Sequence, residues 1–412
     1  MELAACRAWE PEKIRAKFGA YEDPSFANLA YLDSAATSQR LEAAAWAGYQ
    51  YERSALGNAH RGSHALAQKS SQALEGARSA IAKALGVSAD CVALTSGATE
   101  SANLLAQSLG ALLGPEDSVY ASAVEHHSNY LPWREAAARA GARFVEIPAL
   151  RSGELDMDWF RAAVVEDRPR IIALTAMSNV TGYKPPIEEI SALAKAANPS
   201  AVVVVDAAQA VSMGVGENLW GGDWAIFSGH KMHAPSGVGV LAAREAGAFI
   251  DLPPGKVGGG MIRGFRADGS PRWASGKALF EAGSANVGGA VALAAAFEEL
   301  STWDRSLLAA HKEALSSWLA DELARIPDVR VLGSGQRRGL VSFTAQWAHA
   351  HDIGTVLDSM GVIARVGHHC ALPMMKAMDE MACVRFSFSS CSTESEALMA
   401  LAGVQEAFRR FG

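Results

Sequence analysis

The chain has 412 residues, 50% of them hydrophobic and 20% charged, enough for one large domain with a smaller one or for two comparable ones. Its net charge of -7 and the lack of any long basic run argue against nucleic acid as the main partner. There is no N-terminal h-region and no apolar run long enough to span a bilayer, which sets cytoplasmic as the expected location. Five cysteines, odd in number and without a CxxC pair, fit a reducing compartment and disfavour a structural zinc site.

In chain order, Glu10–Phe18 carries a short helical pattern and Leu66–Leu85 an alanine-rich amphipathic one. Short apolar runs then alternate with helical windows. The predicted strands are Cys91–Leu94, Ser118–Ala121, Phe144–Ile147, Ile171–Leu174, Val202–Val205, Ala225–Phe227 and Gly239–Ala242. Helical windows at Gly97–Leu109, Leu131–Ala140 and Ile187–Ala197 separate several of them. This rhythm predicts an α/β fold, a mainly parallel sheet covered on both faces. Gly255–Gly283 reads as a long irregular loop, a length more often functional than idle. Helices are expected at Val287–Trp303 and Leu307–Ile326. The strands Arg330–Leu332, Leu340–Phe343, Val362–Arg365 and Val384–Phe388 and a closing helix at Thr393–Phe411 follow. The change of rhythm near residue 290 predicts a second, smaller α+β domain.

Ser228-Gly-His-Lys231 carries the most chemistry. A valine run ends in Asp206, and a second apolar run leads into Lys231. A lysine amine for a Schiff base, a buried anion for a ring nitrogen and small polar residues for a phosphate are what an aldehyde pyridine cofactor requires. A solvated lysine is the commoner fate, but a carboxylate is rarely placed at a buried strand end without a partner. Gln209 lies within reach of the same place. The turn Thr95-Ser-Gly97-Ala-Thr99 opens a helix and suits a phosphate, although a plain N-cap is the better reading of that segment taken alone. A histidine of the pair His126-His127 could stack on a ring and act as acid or base.

Nine motifs in one order carry a resemblance over nearly the whole chain. They are Leu32-Asp-Ser-Ala-Ala36, His60-Arg-Gly62, Gly97-Ala-Thr-Glu100, Glu125-His-His127, Ser178-Asn-Val180, Val205-Asp-Ala-Ala-Gln209, Ser228-Gly-His-Lys231, Phe280-Glu-Ala-Gly-Ser284 and Arg365-Val-Gly-His-His-Cys370. The sequence resembles the cysteine desulfurase and selenocysteine lyase group of the class V aminotransferase superfamily. The resemblance implies a fold type I transferase of pyridoxal 5'-phosphate (PLP), with a seven-stranded, mainly parallel sheet in a large domain (21–290). It also implies a small C-terminal domain (291–412) and an N-terminal segment (1–20) packing on it.

By the same resemblance, Lys231 is the Schiff-base lysine, Asp206 the ring-nitrogen partner and Gln209 the ring-oxygen partner, and His126 stacks on the ring. Thr99, Ser228 and His230 hold the phosphate, and Ser284 joins them from the second subunit of a homodimer. Asn179, Arg365, Arg385, Ala35 and His60 are expected around the substrate, an arginine being suited to bidentate carboxylate binding. Cys370 takes sulfur from L-cysteine, or from L-selenocysteine its selenium counterpart, and passes it to an acceptor protein. A thiolate is its reactive form, and His368 and His369 are candidates to favour it.

Three departures stand out. Ala98 replaces a common threonine, Ser284-Ala-Asn286 replaces Thr-Pro-Asn, and the stretch before Thr393 lacks a Tyr-Asn pair. If the strand at Arg385 continued, Cys391 would share its face, though packing is the better expectation for that thiol. Selenocysteine lyase, C–S lyase, aminotransferase and a non-catalytic scaffold are the alternatives. The pathway served, iron–sulfur cluster assembly among the candidates, stays open.

Overall fold

The computed structural model describes residues 9–60, 62–213, 219–250 and 252–412. Cys6 and Arg61 lie outside them. Among the described residues, seven strands form one sheet: β1 (Val92–Thr95), β2 (Ser118–Ser122), β3 (Arg143–Ile147), β4 (Ile171–Thr175), β5 (Val202–Asp206), β6 (Trp224–Ser228) and β7 (Gly239–Ala243). Their order is β1-β7-β6-β5-β4-β2-β3. Only β7 runs antiparallel to its neighbours, as a mainly parallel sheet requires. The apolar runs are near-continuous because both faces are covered. Val203, Val204 and Val205 of β5 are all fully buried, facing two different core clusters.

Every predicted strand of this sheet is present within a residue or two. The helix expected from Leu131 begins at His127, because the His126 imidazole caps it by accepting from Ser128 N at 3.1 Å. The loop predicted over Gly255–Gly283 contains an antiparallel hairpin, Ile262–Phe265 with Pro271–Trp273. Asp268 accepts from Ser270 N at 2.9 Å and Gly269 takes a φ of 80°, a turn signal that outweighs the polar composition.

A second sheet has four strands: β8 (Val329–Val331), β9 (Leu340–Ala345), β10 (Arg365–Gly367) and β11 (Cys383–Ser387), in the order β8-β9-β11-β10. The strand predicted over Val362–Arg365 is split. Val362–Ile363 pairs in parallel with Ala30–Tyr31, while β10 pairs with β11. Asp33 bridges to Ser387, so the motif around residue 33 is threaded between the two sheets. β11 stops at Ser387, so Cys391 does not share the Arg385 face. It is buried beside Tyr21 Oη (3.0 Å) and Ser389 Oγ (3.1 Å).

Candidate active site

Asp206 ends β5, the central strand, in register with Thr175 of β4 and Ile226 of β6. Ligands of open α/β sheets collect at such carboxyl ends. Its carboxylate is buried and accepts one hydrogen bond among the described residues, from Ala208 N at 2.9 Å. Burial raises its pKa, and the Lys231 charge pulls it back.

Lys231 follows β6 in a short 3-10 turn, Gly229–Lys231. Desolvation lowers its pKa to about 8, against the opposing pull of Asp206. Gln209 is buried and donates through Nε2 to Ala35 O at 2.8 Å, leaving its second N–H for a further acceptor.

The turn after β1 packs on glycine. A Cβ on Gly239 would lie 2.4 Å from Gly97 Cα, and one on Gly97 would lie 3.1 Å from Ser228 Oγ. This close approach seats the first turn of the helix Ala98–Gly110 against the β6 terminus. Ala98 N donates to Ser228 Oγ at 2.8 Å, whereas the N–H groups of Thr99 and Glu100 find no acceptor among the described residues. Thr99 Oγ1 lies 2.8 Å from Ser128 Oγ. His230 Nδ1 lies 3.3 Å from Thr37 Oγ1, and burial holds its pKa near 4. Free N–H groups at a helix start, with hydroxyls beside them, make an anion cradle.

His126 sits between this cradle and the Cys370 loop. Its pKa is lowered to about 3, first by burial and then by the Lys231 charge, so the ring is neutral. Nδ1 accepts from Ser128 N, which puts the ring proton on Nε2. Glu125 holds the histidine loop in place, a role unseen in the sequence. Its buried carboxyl accepts from Thr175 N at 2.6 Å and Asn129 Nδ2 at 2.7 Å, and bonds Ser122 Oγ. Desolvation raises its pKa to about 8.

Arg385, on β11, is 2% exposed. It donates to Asn179 O at 2.8 Å and to Asp33 Oδ1 at 3.0 Å. The Arg365 guanidinium lies 3.9 Å from the other Asp33 oxygen. Arg385 Nε and Asn179 Oδ1 are both buried without a partner among the described residues, the pattern expected where a ligand is to supply one. Asp33 was legible only as part of a motif, since nothing local says that it meets two arginines more than 300 residues away.

Cys370 is half-buried, with φ of 53° following φ of 52° at His369. His127 N donates to Cys370 O at 2.7 Å, and Asn179 Nδ2 donates to His369 O at 2.8 Å. The loop is therefore tied to both the His126 corner and the Arg385 corner. Neither flanking histidine bonds the thiol. His368 Nδ1 accepts from Cys370 N at 3.1 Å, while His369 is buried with Nε2 3.1 Å from Cys383 Sγ. The left-handed turn at His369 and Cys370 follows the strand end at Gly367, and the two rings part there, His369 into the core and His368 toward the Cys370 backbone.

Ala35 joins this cleft through Gln209, and its N–H donates to Ser387 Oγ at 2.9 Å. Ser284 and His60 do not join it within one chain. Both line a different cavity with Thr95, Ser96 and Glu100, and His60 Nε2 lies 3.3 Å from Glu75 Oε1. His60, expected among the substrate residues, thus lies apart from the other substrate candidates within one chain. Its backbone is left-handed, with φ of 60°.

The residues fit a phosphorylated pyridine aldehyde. The glycine-packed cradle, the buried Asp206 carboxylate and the desolvated amine supply an anion site, a counterion for a ring cation and a nucleophile.

A model of the aminotransferase class-V family matches residues 30–398. The chain is 36% identical over 400 residues to a probable cysteine desulfurase of Vibrio cholerae, covering 96% of this chain and 98% of the relative. It is 34% identical over 405 residues to the cysteine desulfurase of Salmonella gallinarum, covering 97% and 99%. Among solved structures, the cysteine desulfurase CsdA of Escherichia coli is similar with a TM-score of 0.88 at 31% identity, covering 98% of this chain and 100% of that one. The apo cysteine desulfurase of Thermococcus onnurineus gives 0.88 at 30%, covering 97% and 98%. Similarity of this extent, over a site of this composition, shows that the chain belongs to the aminotransferase class-V family.

Proposed function

We propose that the protein is a PLP-dependent cysteine desulfurase that converts L-cysteine to L-alanine and holds the sulfur as a persulfide on Cys370. The observation that carries this reading is the tethering of the Cys370 loop to His127 and Asn179, which border the Lys231 cleft.

Thr99, Ser228 and His230 with the first-turn N–H groups would hold the phosphate, Asp206 the ring nitrogen, Gln209 the ring oxygen, and His126 would cover the ring. PLP bound there serves as an electron sink that acidifies the Cα–H of a joined amino acid. Arg385, Arg365 and Asn179 orient the substrate carboxylate. The amine of Lys231 moves the proton at Cα. The Cys370 thiolate attacks the substrate sulfur. An S–S bond forms as the Cβ–S bond breaks, and the carbon left behind takes a proton to become the alanine methyl.

The product persulfide passes to an acceptor protein. The enzyme works as a homodimer in the cytoplasm, with the partner supplying Ser284 and His60. That reading is supported by their placement away from the Lys231 cleft of their own chain. The domain boundary lies near residue 290, and the N-terminal segment packs on the small domain, supported by Trp9 Nε1 donating to Ser390 O at 2.7 Å.

Incubation with L-cysteine, with and without reductant, followed by assay of alanine and sulfide, tests the reading. Stoichiometric alanine is expected, with sulfide appearing only when reductant frees it. A keto acid instead of alanine would mark a transaminase, and turnover confined to L-selenocysteine would mark a lyase.

A further inference from the structure

Cys383 takes no part in the chemistry above, yet it touches the loop that carries it. It opens β11 opposite Gly367, the last residue of β10. Two residues beyond Gly367, His369 brings its Nε2 to 3.1 Å from Cys383 Sγ. Both residues are buried, at 5% exposure for the histidine and 0% for the cysteine.

The contact has a direction. The Ser342 hydroxyl of β9 also bonds the thiol. Its own proton goes to Val180 O at 2.5 Å, so toward the cysteine it can only accept, from the S–H. Cys383 Sγ is then left to accept from His369 Nε2–H. Burial lowers the imidazole pKa to about 3, so the ring carries a single N–H. Its other nitrogen, Nδ1, is the one buried without a partner among the described residues.

These bonds close a ring at the substrate corner. Val180 follows Asn179, and Asn179 Nδ2 donates back to His369 O at 2.8 Å. Asn179 O also accepts from Arg385 Nη1 at 2.8 Å. One network thus holds a residue assigned to the substrate carboxylate and the residue just before Cys370. The loop needs such a hold, because His369 and Cys370 are successive non-glycine residues in left-handed backbone, with φ of 52° and 53°. Thiol attack is sensitive to placement, an error of about 1 Å costing about 100-fold in rate.

We propose that Cys383 is a positioning residue: acting through His369, it fixes where the Cys370 thiol stands relative to a substrate held at Asn179 and Arg385. The kinetic consequence rests on the desulfurase reading, whereas the placement of the loop does not.

Cys383→Ala and Cys383→Ser both remove the sulfur at nearly equal volume, and only the second keeps an acceptor for His369 Nε2–H. In the holoenzyme, Cys383→Ala is expected to slow single-turnover alanine formation about ten-fold, the effect of one lost hydrogen bond. The absorbance change on adding L-cysteine, which precedes thiol attack, is expected to keep its wild-type rate. Cys383→Ser is expected to recover most of the loss. Equal losses in the two variants, or no loss in Cys383→Ala, would mean that the residue only packs, and overturn the proposal.

Alkylation of Cys370 by iodoacetamide, followed by mass spectrometry of its peptide, reads the loop without turnover. It is expected to run several-fold faster in Cys383→Ala than in the wild type or Cys383→Ser, and equal rates in all three contradict the assignment. A wild type that makes no alanine refutes the desulfurase reading, and the alkylation series then decides the placement by itself. Should Cys383→Ala fail to fold, His369→Gln and His369→Leu give the same comparison, since only the first keeps a donor for Cys383 Sγ. Equal alkylation rates in that pair overturn the proposal.

Discussion

Arg385 donates through Nη2 to Asp33 Oδ1 at 3.0 Å and keeps its buried Nε without an acceptor among the described residues. Asp33 thus stabilises a guanidinium whose remaining donor is reserved. Breaking such a pair leaves a buried charge exposed to a low dielectric, a cost of about 3 kcal/mol. Asp33→Asn should therefore lower the melting midpoint clearly while leaving KM for cysteine no higher than in the wild type. Arg385→Ala should instead cut kcat/KM about 100-fold through lost charge-assisted hydrogen bonds. Steady-state kinetics beside thermal melts separate the two, and equal kinetic losses would contradict the division of roles.

Cys370→Ala should abolish alanine formation and leave the cofactor absorbance intact, because the thiol takes no part in the Lys231 and Asp206 contacts. Undiminished desulfuration in that variant would sink the persulfide route. Its left-handed backbone is already an unusual setting for a side chain, consistent with strain held at a working residue.

Lys231 attacks an aldehyde only as the neutral amine. Burial lowers its pKa from the ordinary 10.5 to about 8, so the neutral fraction grows as pH rises through 8 and saturates above it. Uptake of PLP by the apoprotein, followed by absorbance, should accelerate up to about pH 8 and then level off. Asp206 favours the charged amine, so Asp206→Asn should move the midpoint lower. A midpoint near 10.5 would show that the amine is solvated.

Gly239→Ala should weaken PLP retention without touching any polar contact. The added methyl meets backbone atoms of Gly97 and Phe227 O at 2.4–2.7 Å, where nothing flexible can yield. Overpacking of this kind costs about 1–3 kcal/mol. Here it also pushes the helix start away from Ser228. Dialysis followed by cofactor assay measures the effect, and wild-type retention would argue against the cradle.

Local patterns were enough to reveal the sheet and to single out the candidate cofactor residues on it. Strands buried on both faces read as apolar runs, and Asp206 and Lys231 stand where those runs end. The Asp268-Gly269 hairpin and the His126 cap were also local, but polar composition concealed them.

The amino-acid order alone could name Cys370, Asn179 and Arg385, yet it could not say what they touch. Those contacts depend on pairings across more than 100 residues, such as Asn179 with His369 and Asp33 with Arg385. Periodicity reports which face of an element is buried. Only the packing of one element on another decides which charges are left facing each other.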